Sequence, residues 1–318
     1  MFTAIALAAL LAGQAAPQVP QDPDEAVAVE DILVNGRPLV ERAREFVNEI
    51  AAPPNNRNLA TWRTEMCVSA VNMPPAHGQA LVDRVSQLAL HLGVQIGEPG
   101  CDPNVIIALS TDAQAMAAQL VERRERTFRP NWTGAAQGQE ELDAFVQSTA
   151  PVRWWHISIP VDAATGEVAV RMPGDGDGLR IVNKRMGATR LRSPLRDDMR
   201  KVFIIVDVDD VANVSFQQLT DYVAFLVMAQ TDPEADTSRY DTILNLFDGG
   251  GVDGLTAWDL AYLEALYASD TTQSTPNRHG SNIGRALARD IGGQMREEAR
   301  QAAQEPEPTP EPAPTPQP

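Results

Sequence analysis

Three aspartates at the end of one apolar segment are well placed to do chemistry. The segment VFIIVDVDD contains Asp207 and Asp209 and ends at Asp210. Carboxylates clustered where a buried strand ends can hold Mg²⁺ or take part in acid–base catalysis. Polar residues also commonly mark the point at which a strand leaves the core for solvent, so both interpretations stay open.

A further carboxylate, Asp221, lies near the start of an unusually apolar stretch, LTDYVAFLVMAQ, at 219–230. If Asp207, Asp209 and Asp221 came together, they would form the catalytic set of a carboxylate-dependent hydrolase. The stretch itself is too short to cross a bilayer. Apolar residues occupy nearly all of its helical faces, which predicts a core helix covered on most sides.

The histidines give no zinc motif, because none of the four lies within four residues of another: His77, His91, His156 and His279. His156 belongs to RWWHIS, where strand alternation places Trp154, His156 and Ser158 on one face. A lone histidine beside tryptophans is more often a packed structural residue than a catalytic base. We therefore expect no metal and no cofactor.

A basic island interrupts this acidic chain. Residues 180–201 contain eight basic side chains and only two acidic ones. Arginine makes bidentate contacts with carboxylate or phosphate, so an anion or partner site is predicted at Arg190, Arg192, Arg196 and Arg200. The alternative is a solvated loop whose charge is balanced by acidic neighbours.

The chain has two cysteines, Cys67 and Cys101. An even count in an exported chain predicts one disulfide between them. Two buried free thiols are the alternative if the chain stays in the cytosol.

Length and charge restrict the classes of protein that fit. The chain has 318 residues, a formal net charge of -17 and a hydrophobic fraction of 43%, which is enough for a sizeable core. Binding to nucleic acid or anionic membranes relies on surplus Lys and Arg, so neither is expected. We predict one globular domain over 29–300, and a subdivision near 131–150 stays open.

The N-terminus, MFTAIALAALLAGQAAP, has an apolar run followed by small residues. It predicts a signal peptide over 1–16, cleaved after Ala15 or Ala16, and a linker over 17–28, although no Lys or Arg precedes the run. An N-terminal helix of the mature fold is the alternative. Gln14 stands where a lipoprotein box has cysteine. We expect a soluble periplasmic or secreted protein without a transmembrane segment in its mature form.

The C-terminus, EPEPTPEPAPTPQP, is acidic and proline-rich. This composition favours extended polyproline II and cannot bury a core, so residues 301–318 are predicted to be a disordered tail. A spacer through cell-wall polymer or a ligand for a partner is the functional alternative.

Apolar periodicity predicts an α+β fold with a mixed sheet packed by helices. Strands are expected at VEDILVNG, TWRTEMCVSAV, NVIIALS, VRWWHISIPV, LRIVN and KVFIIVDVDDV. Helices are expected at PLVERAREFVNEI, HGQALVDRVSQLALHLGV, DAQAMAAQLVERRERTF, 219–230, LTAWDLAYLEALYA and about 283–303. Capping boxes are predicted at Ser215 with Gln218 and at Thr256 with Asp259.

This order of elements resembles the minimal domain of zincin-like metallopeptidases. The phrases GCDPNVIIALSTD, TRLRSPLRDDMRK, LTDYVAFLVMAQ and LNLFD…GLTAWDLAYLEALYASD are similar to an uncharacterised family of secreted alphaproteobacterial proteins. If Asp221 occupies the Glu position of the zincin His-Glu-x-x-His motif, the two ligand positions are Thr220 and Ala224, and neither binds zinc. The resemblance therefore implies a peptidase scaffold without its metal.

Two functions follow as expectations. The first is an exported, non-catalytic interaction protein of the cell envelope, which binds an unidentified envelope protein or an anionic ligand. The second is a hydrolase that uses Asp207, Asp209 and Asp221 on a cell-envelope polymer.

Overall fold

A computed structural model describes residues 32–34, 36–53, 57–128, 138–169, 192–249 and 251–304. The predicted signal peptide, the linker, the LRIVN strand and the tail from 305 onward lie outside these residues. The strands are β1 (Leu33–Val34), β2 (Arg37–Pro38), β3 (Thr61–Trp62), β4 (Val68–Val71), β5 (Val105–Ser110), β6 (Val152–Asp162) and β7 (Leu195–Asp207).

Most of the helices follow the predicted stripes with shifted ends, whereas the helix over 139–147 and the 3-10 helix over 243–247 were not predicted. They are α1 (Leu39–Ile50), α2 (Pro75–His91), α3 (Ala113–Arg123), α4 (Glu125–Phe128), α5 (Gln139–Gln147), α6 (Phe216–Met228), α7 (Ala257–Ala268) and α8 (Pro276–Gln304), with a 3-10 helix at Ile243–Phe247. The helix predicted from DAQAMAAQLVERRERTF is interrupted at Arg124. The last helix begins seven residues earlier than predicted and extends beyond the domain boundary at 300.

The sheet is mixed, as the sequence predicted, and the structure places β7 at its centre. On one side β7 pairs in parallel with β5, which pairs in parallel with β4. The short strand β3 also runs parallel to β7, at its start. On the other side β6 pairs with β7 antiparallel along its whole length. The expected strand at TWRTEMCVSAV is thus two strands, because its ends pair with different neighbours.

Side-chain alternation along β7 divides the core in two. Val202, Ile204 and Val206 face a large cluster to which α1, α2, α6, α7 and α8 contribute. Phe203 and Ile205 face a smaller cluster with residues from α3, α4 and α5. The sheet is therefore covered by helices on both faces, and the continuous apolar run of β7 reflects a strand buried on both sides.

Both predicted capping boxes are present. The Ser215 hydroxyl accepts from Gln218 N while the Gln218 side chain accepts from Ser215 N, and Thr256 and Asp259 form the same reciprocal pair. These bonds satisfy backbone N–H groups that have no partner within the helix. They fix the starts of α6 and α7.

The two cysteines form the predicted disulfide, with Cα atoms 6.0 Å apart. It joins the residue before β4 to the loop that leads into β5. Gly97 is needed beside it, since a Cβ there would lie 2.8 Å from Cys101 Sγ. The Asn104 side chain accepts from Cys67 N at 2.8 Å, so the bridge and a hydrogen bond hold the same two segments together.

In the part of the chain that the structure describes, no helix combines the length and apolarity needed to cross a membrane.

Candidate functional site

Asp207 occupies the last position of β7 and caps a neighbouring helix. Its carboxylate accepts a hydrogen bond from Ala113 N, at the first residue of α3, at 3.2 Å and another from Asp209 N at 3.3 Å. A carboxylate at a helix N-terminus interacts favourably with the unpaired N–H groups there. Asp209 and Asp210 follow in an exposed turn. Asp207 thus has a local structural role.

Asp221 is buried on α6 and has two partners. Arg84 of α2 donates from Nε to one carboxylate oxygen, and Leu255 N donates to the other at 3.2 Å. The loop approaches closely because residue 254 is glycine, where a Cβ would lie 2.5 Å from Asp221 Oδ2. The carboxylate therefore ties α2, α6 and the segment before α7 together.

The three candidate catalytic carboxylates do not come together. Asp207 binds the start of α3, which packs on the face of the sheet covered by α3–α5. Asp221 lies on α6, on the opposite face. Among the described residues no group of three or more His, Cys, Asp or Glu side chains is arranged to hold a metal ion.

The two positions aligned with zinc ligands in the zincin comparison are both buried. Thr220 donates its hydroxyl to Gln217 O at 2.8 Å, within its own helix, and Ala224 has no ligating atom. Every residue from Leu219 to Met228 is buried, which confirms the prediction that this helix is covered on most faces.

The predicted arginine site lies partly outside the described residues, since Arg190 is among those not described. Arg192 pairs with Asp270 at 3.5 Å. Arg196 donates to Asp198 at 2.8 Å and to Ala163 O, and Arg200 lies 3.9 Å from the same carboxylate. These pairs favour the charge-balance alternative for the arginines that the structure describes. Anion binding stays a prediction.

His156 is a packed structural residue. Trp154 and His156 share the face of β6 toward α6, as predicted, and His156 donates from Nε2 to Leu226 O at 2.7 Å. Beside it, Trp62 donates to Val227 O at 2.9 Å and Tyr267 to Met228 O at 3.0 Å. These side chains satisfy three carbonyls in the last turn of α6, which lack partners within the helix.

Because it is buried, His156 should make stability depend on pH. Burial lowers the pKa of His156 to about 4, below its ordinary value of 6.5. The unfolded chain therefore takes up the proton first, so the stabilisation from the neutral ring is complete above pH 6.5 and is lost as pH falls toward 4. His156→Gln keeps an amide donor but cannot titrate.

We expect the stability difference between wild type and His156→Gln to shrink by about 3 kcal/mol as pH falls through this window. Urea unfolding of both proteins at several pH values measures this stability difference. His279→Gln is a second test, because burial also lowers the pKa of His279 to about 4. Parallel curves for wild type and His156→Gln would contradict the prediction.

A cleft along the outer side of β6, with a volume of about 880 Å³, is a candidate binding site formed by described residues. Residues 151–156 form its floor. One wall is α5 with the segment after it, and the other is the segment from Thr231 to Asp248, with Tyr222 of α6 at its base. It involves none of the predicted site residues.

Sequence reasoning missed this cleft because its walls come from three separate segments. The available signals were weak. The acidic segment TDPEAD at 231–236 and the tryptophan pair of RWWH are both visible in the sequence, but nothing in the sequence shows that they meet.

The comparisons with known proteins add no relative. No family model, no curated protein and no solved structure matches this chain.

Proposed function

We propose that this chain is an exported, soluble, non-catalytic interaction protein of the cell envelope, periplasmic or secreted, built on a degenerate peptidase-like scaffold. The observation that carries the non-catalytic part of the proposal is the ion pair between Asp221 and Arg84, and export is proposed from the N-terminal sequence alone. Asp221 is the one carboxylate of α6, and through this ion pair it holds α2 and α6 together. A buried carboxylate engaged by a guanidinium and a backbone N–H is not free to activate water.

The surroundings of α6 support the same conclusion. Where a hydrolytic helix would present polar side chains to a cleft, α6 presents Tyr222, and its other residues from Leu219 to Met228 are buried. Its terminal carbonyls are bonded to tryptophan, histidine and tyrosine side chains. The helix thus has a structural role beside an open cleft, an arrangement suited to binding.

The proposal is tested on protein recovered from the envelope or medium of its native host, without chelators. Elemental analysis should find no stoichiometric zinc or other transition metal. Intact mass should give a chain that begins close to Ala16 or Pro17. If the protein is found in the cytosol as a chain that still begins at Met1, export is contradicted.

Asp221→Leu is the informative variant. We expect it to lower the free energy of unfolding by about 1–3 kcal/mol, because Leu255 N loses its acceptor and Arg84 its counter-charge. The metal content should not change. One tightly held zinc ion per chain, lost on replacement of Asp221, would overturn the non-catalytic proposal. Asp209→Leu, at an exposed turn, is the control for loss of a carboxylate.

A further inference from the structure

The base of the cleft contains three aromatic rings, with Tyr222 in contact with the other two. Tyr222 meets Trp154 edge to face, with ring centroids 6.5 Å apart, and meets Phe247 at 5.1 Å. The Trp154 ring is held in place because its Nε1 donates to Thr231 O at 3.0 Å. The faces of such rings attract cations, and the attraction grows where water is excluded.

Acidic side chains dominate the rim of the cleft. Five carboxylates line it, and Arg153 is the one Lys or Arg among the described lining residues. The five are Glu140 and Glu141 on α5, and Asp232, Glu234 and Asp248 on the opposite wall. In the described part of the chain, none of the five forms an ion pair.

Arg153 does not neutralise this rim. Its side chain is buried on the α5 side of the sheet and donates to Val146 O at 3.2 Å. The carboxylates that act on it most strongly belong to Asp207, Asp112 and Asp210, which are outside the lining of the cleft. The negative charge of the rim is thus available to a ligand.

One wall also contains a buried polar atom without a partner. Thr231 is only 2% exposed and lines the cleft, and its hydroxyl makes no hydrogen bond within the described residues. An unpaired buried hydroxyl is costly, and a donor on a ligand could satisfy it. This observation is independent of the charges and concerns a residue that lines the same cavity.

Asp248 connects the charge to the aromatic base. The pKa of Tyr222 is raised, first by burial and then by the negative charge of Asp248. Tyr222, Phe247 and Asp248 all line the cleft, so a cation bound there would have aromatic rings and a carboxylate nearby. Asp232, next to the unpaired hydroxyl of Thr231, offers a second carboxylate on the same wall.

We propose that this cleft binds an extended segment of a partner polypeptide that carries Lys or Arg side chains between apolar ones. The inference rests on the proposed function, since it names the chemistry of the partner. Carboxylates on both walls match more than one positive charge, which an alternating basic and apolar segment provides. A volume of about 880 Å³ lies near the upper end of ordinary ligand pockets and suits a short peptide.

The test uses the full chain and a fluorescein-labelled peptide of about six residues that alternates Lys or Arg with Leu. Fluorescence anisotropy should show saturable binding that weakens as salt is added, because exposed charges are screened. A peptide with Glu in place of the basic residues should not bind. Spermidine at matched charge should compete poorly, because it has no side chains to contact the rings.

Three variants test the geometry. The double variant Asp232→Asn, Asp248→Asn should lower the affinity for the peptide by about tenfold. This is the effect expected from losing two partly exposed charge contacts. Glu140→Gln with Glu141→Gln tests the other wall at exposed helix positions, in case the first variant is unstable. Thr231→Val should weaken binding without lowering the stability of the free protein. Glu122→Gln with Glu125→Gln makes the same charge change away from the cleft and should have no effect.

Each remaining outcome overturns one proposal. Equal weakening by the control variant would show that net charge alone attracts the peptide, and equal competition by spermidine would exclude the polypeptide partner. If the peptide does not bind and mass spectrometry shows that it stays intact, this inference is contradicted. The proposed non-catalytic function is then unaffected. Cleavage of the peptide, absent in Asp221→Leu, would overturn the proposed function itself.

Discussion

Replacing Leu226 by alanine should lower the free energy of unfolding by about 2–5 kcal/mol, as truncation of a fully buried leucine generally does. Leu226 is 0% exposed and lies in α6 among residues that are buried on every side. Because every residue from Leu219 to Met228 is buried, this part of the helix has little room to shift and fill the cavity. The cost is therefore expected in the upper part of the range.

Chemical denaturation of purified protein measures the effect. Leu90→Ala is the matched control, because Leu90 lies on α2 with 60% of its surface exposed. This control should change stability by less than about 0.5 kcal/mol. A Leu226→Ala variant as stable as the control would mean that α6 is not the packed centre of the larger core.

Removing the disulfide should cost about 4 kcal/mol in the chain-entropy model, because the bridge closes a loop with a sequence separation of 34 in the unfolded chain. The variant is Cys67→Ser with Cys101→Ser. The loop holds β4, α2 and the approach to β5, so its release frees one edge of the sheet.

Urea unfolding of the oxidised wild type, the reduced wild type and the double variant separates the contributions. The last two should coincide, since both lack the same constraint. Two thiols that react with an alkylating agent in oxidised, folded protein would contradict the bridge. Equal stability of all three forms would show that the loop is already ordered in the unfolded ensemble.

The elements were largely predictable because local patterns determine them. Period-3.6 stripes located α1, α2, α6 and α7, and two capping boxes located helix starts at Ser215 and Thr256. The continuous apolar run of β7 predicted a buried strand, and the structure showed that it is buried on both faces. Strand pairing was not predictable in the same way. TWRTEMCVSAV reads as one strand, yet its two ends pair with β7 and β5.

The candidate site depended on contacts between distant parts of the chain. Asp221 looked available for chemistry in the sequence, but Arg84 lies 137 residues earlier and meets it only when α2 packs on α6. His156 looked like an isolated histidine, and its role became clear only when the carbonyl of Leu226 was placed beside it. A single sequence contains no pattern that records either contact.

The sequence by itself determined the fold class, the approximate positions of most helices and strands, the capping boxes and the cysteine pair, since these depend on neighbouring residues or on a count of two. Only the tertiary structure decided which side chains share a cavity. Trp154, Tyr222, Asp232 and Phe247 form the cleft because β6 is the outer strand of the sheet and the segment after α6 returns beside it. Side-chain periodicity determines on which face of a helix or strand a residue lies. Packing between distant segments determines which other residues contact that face.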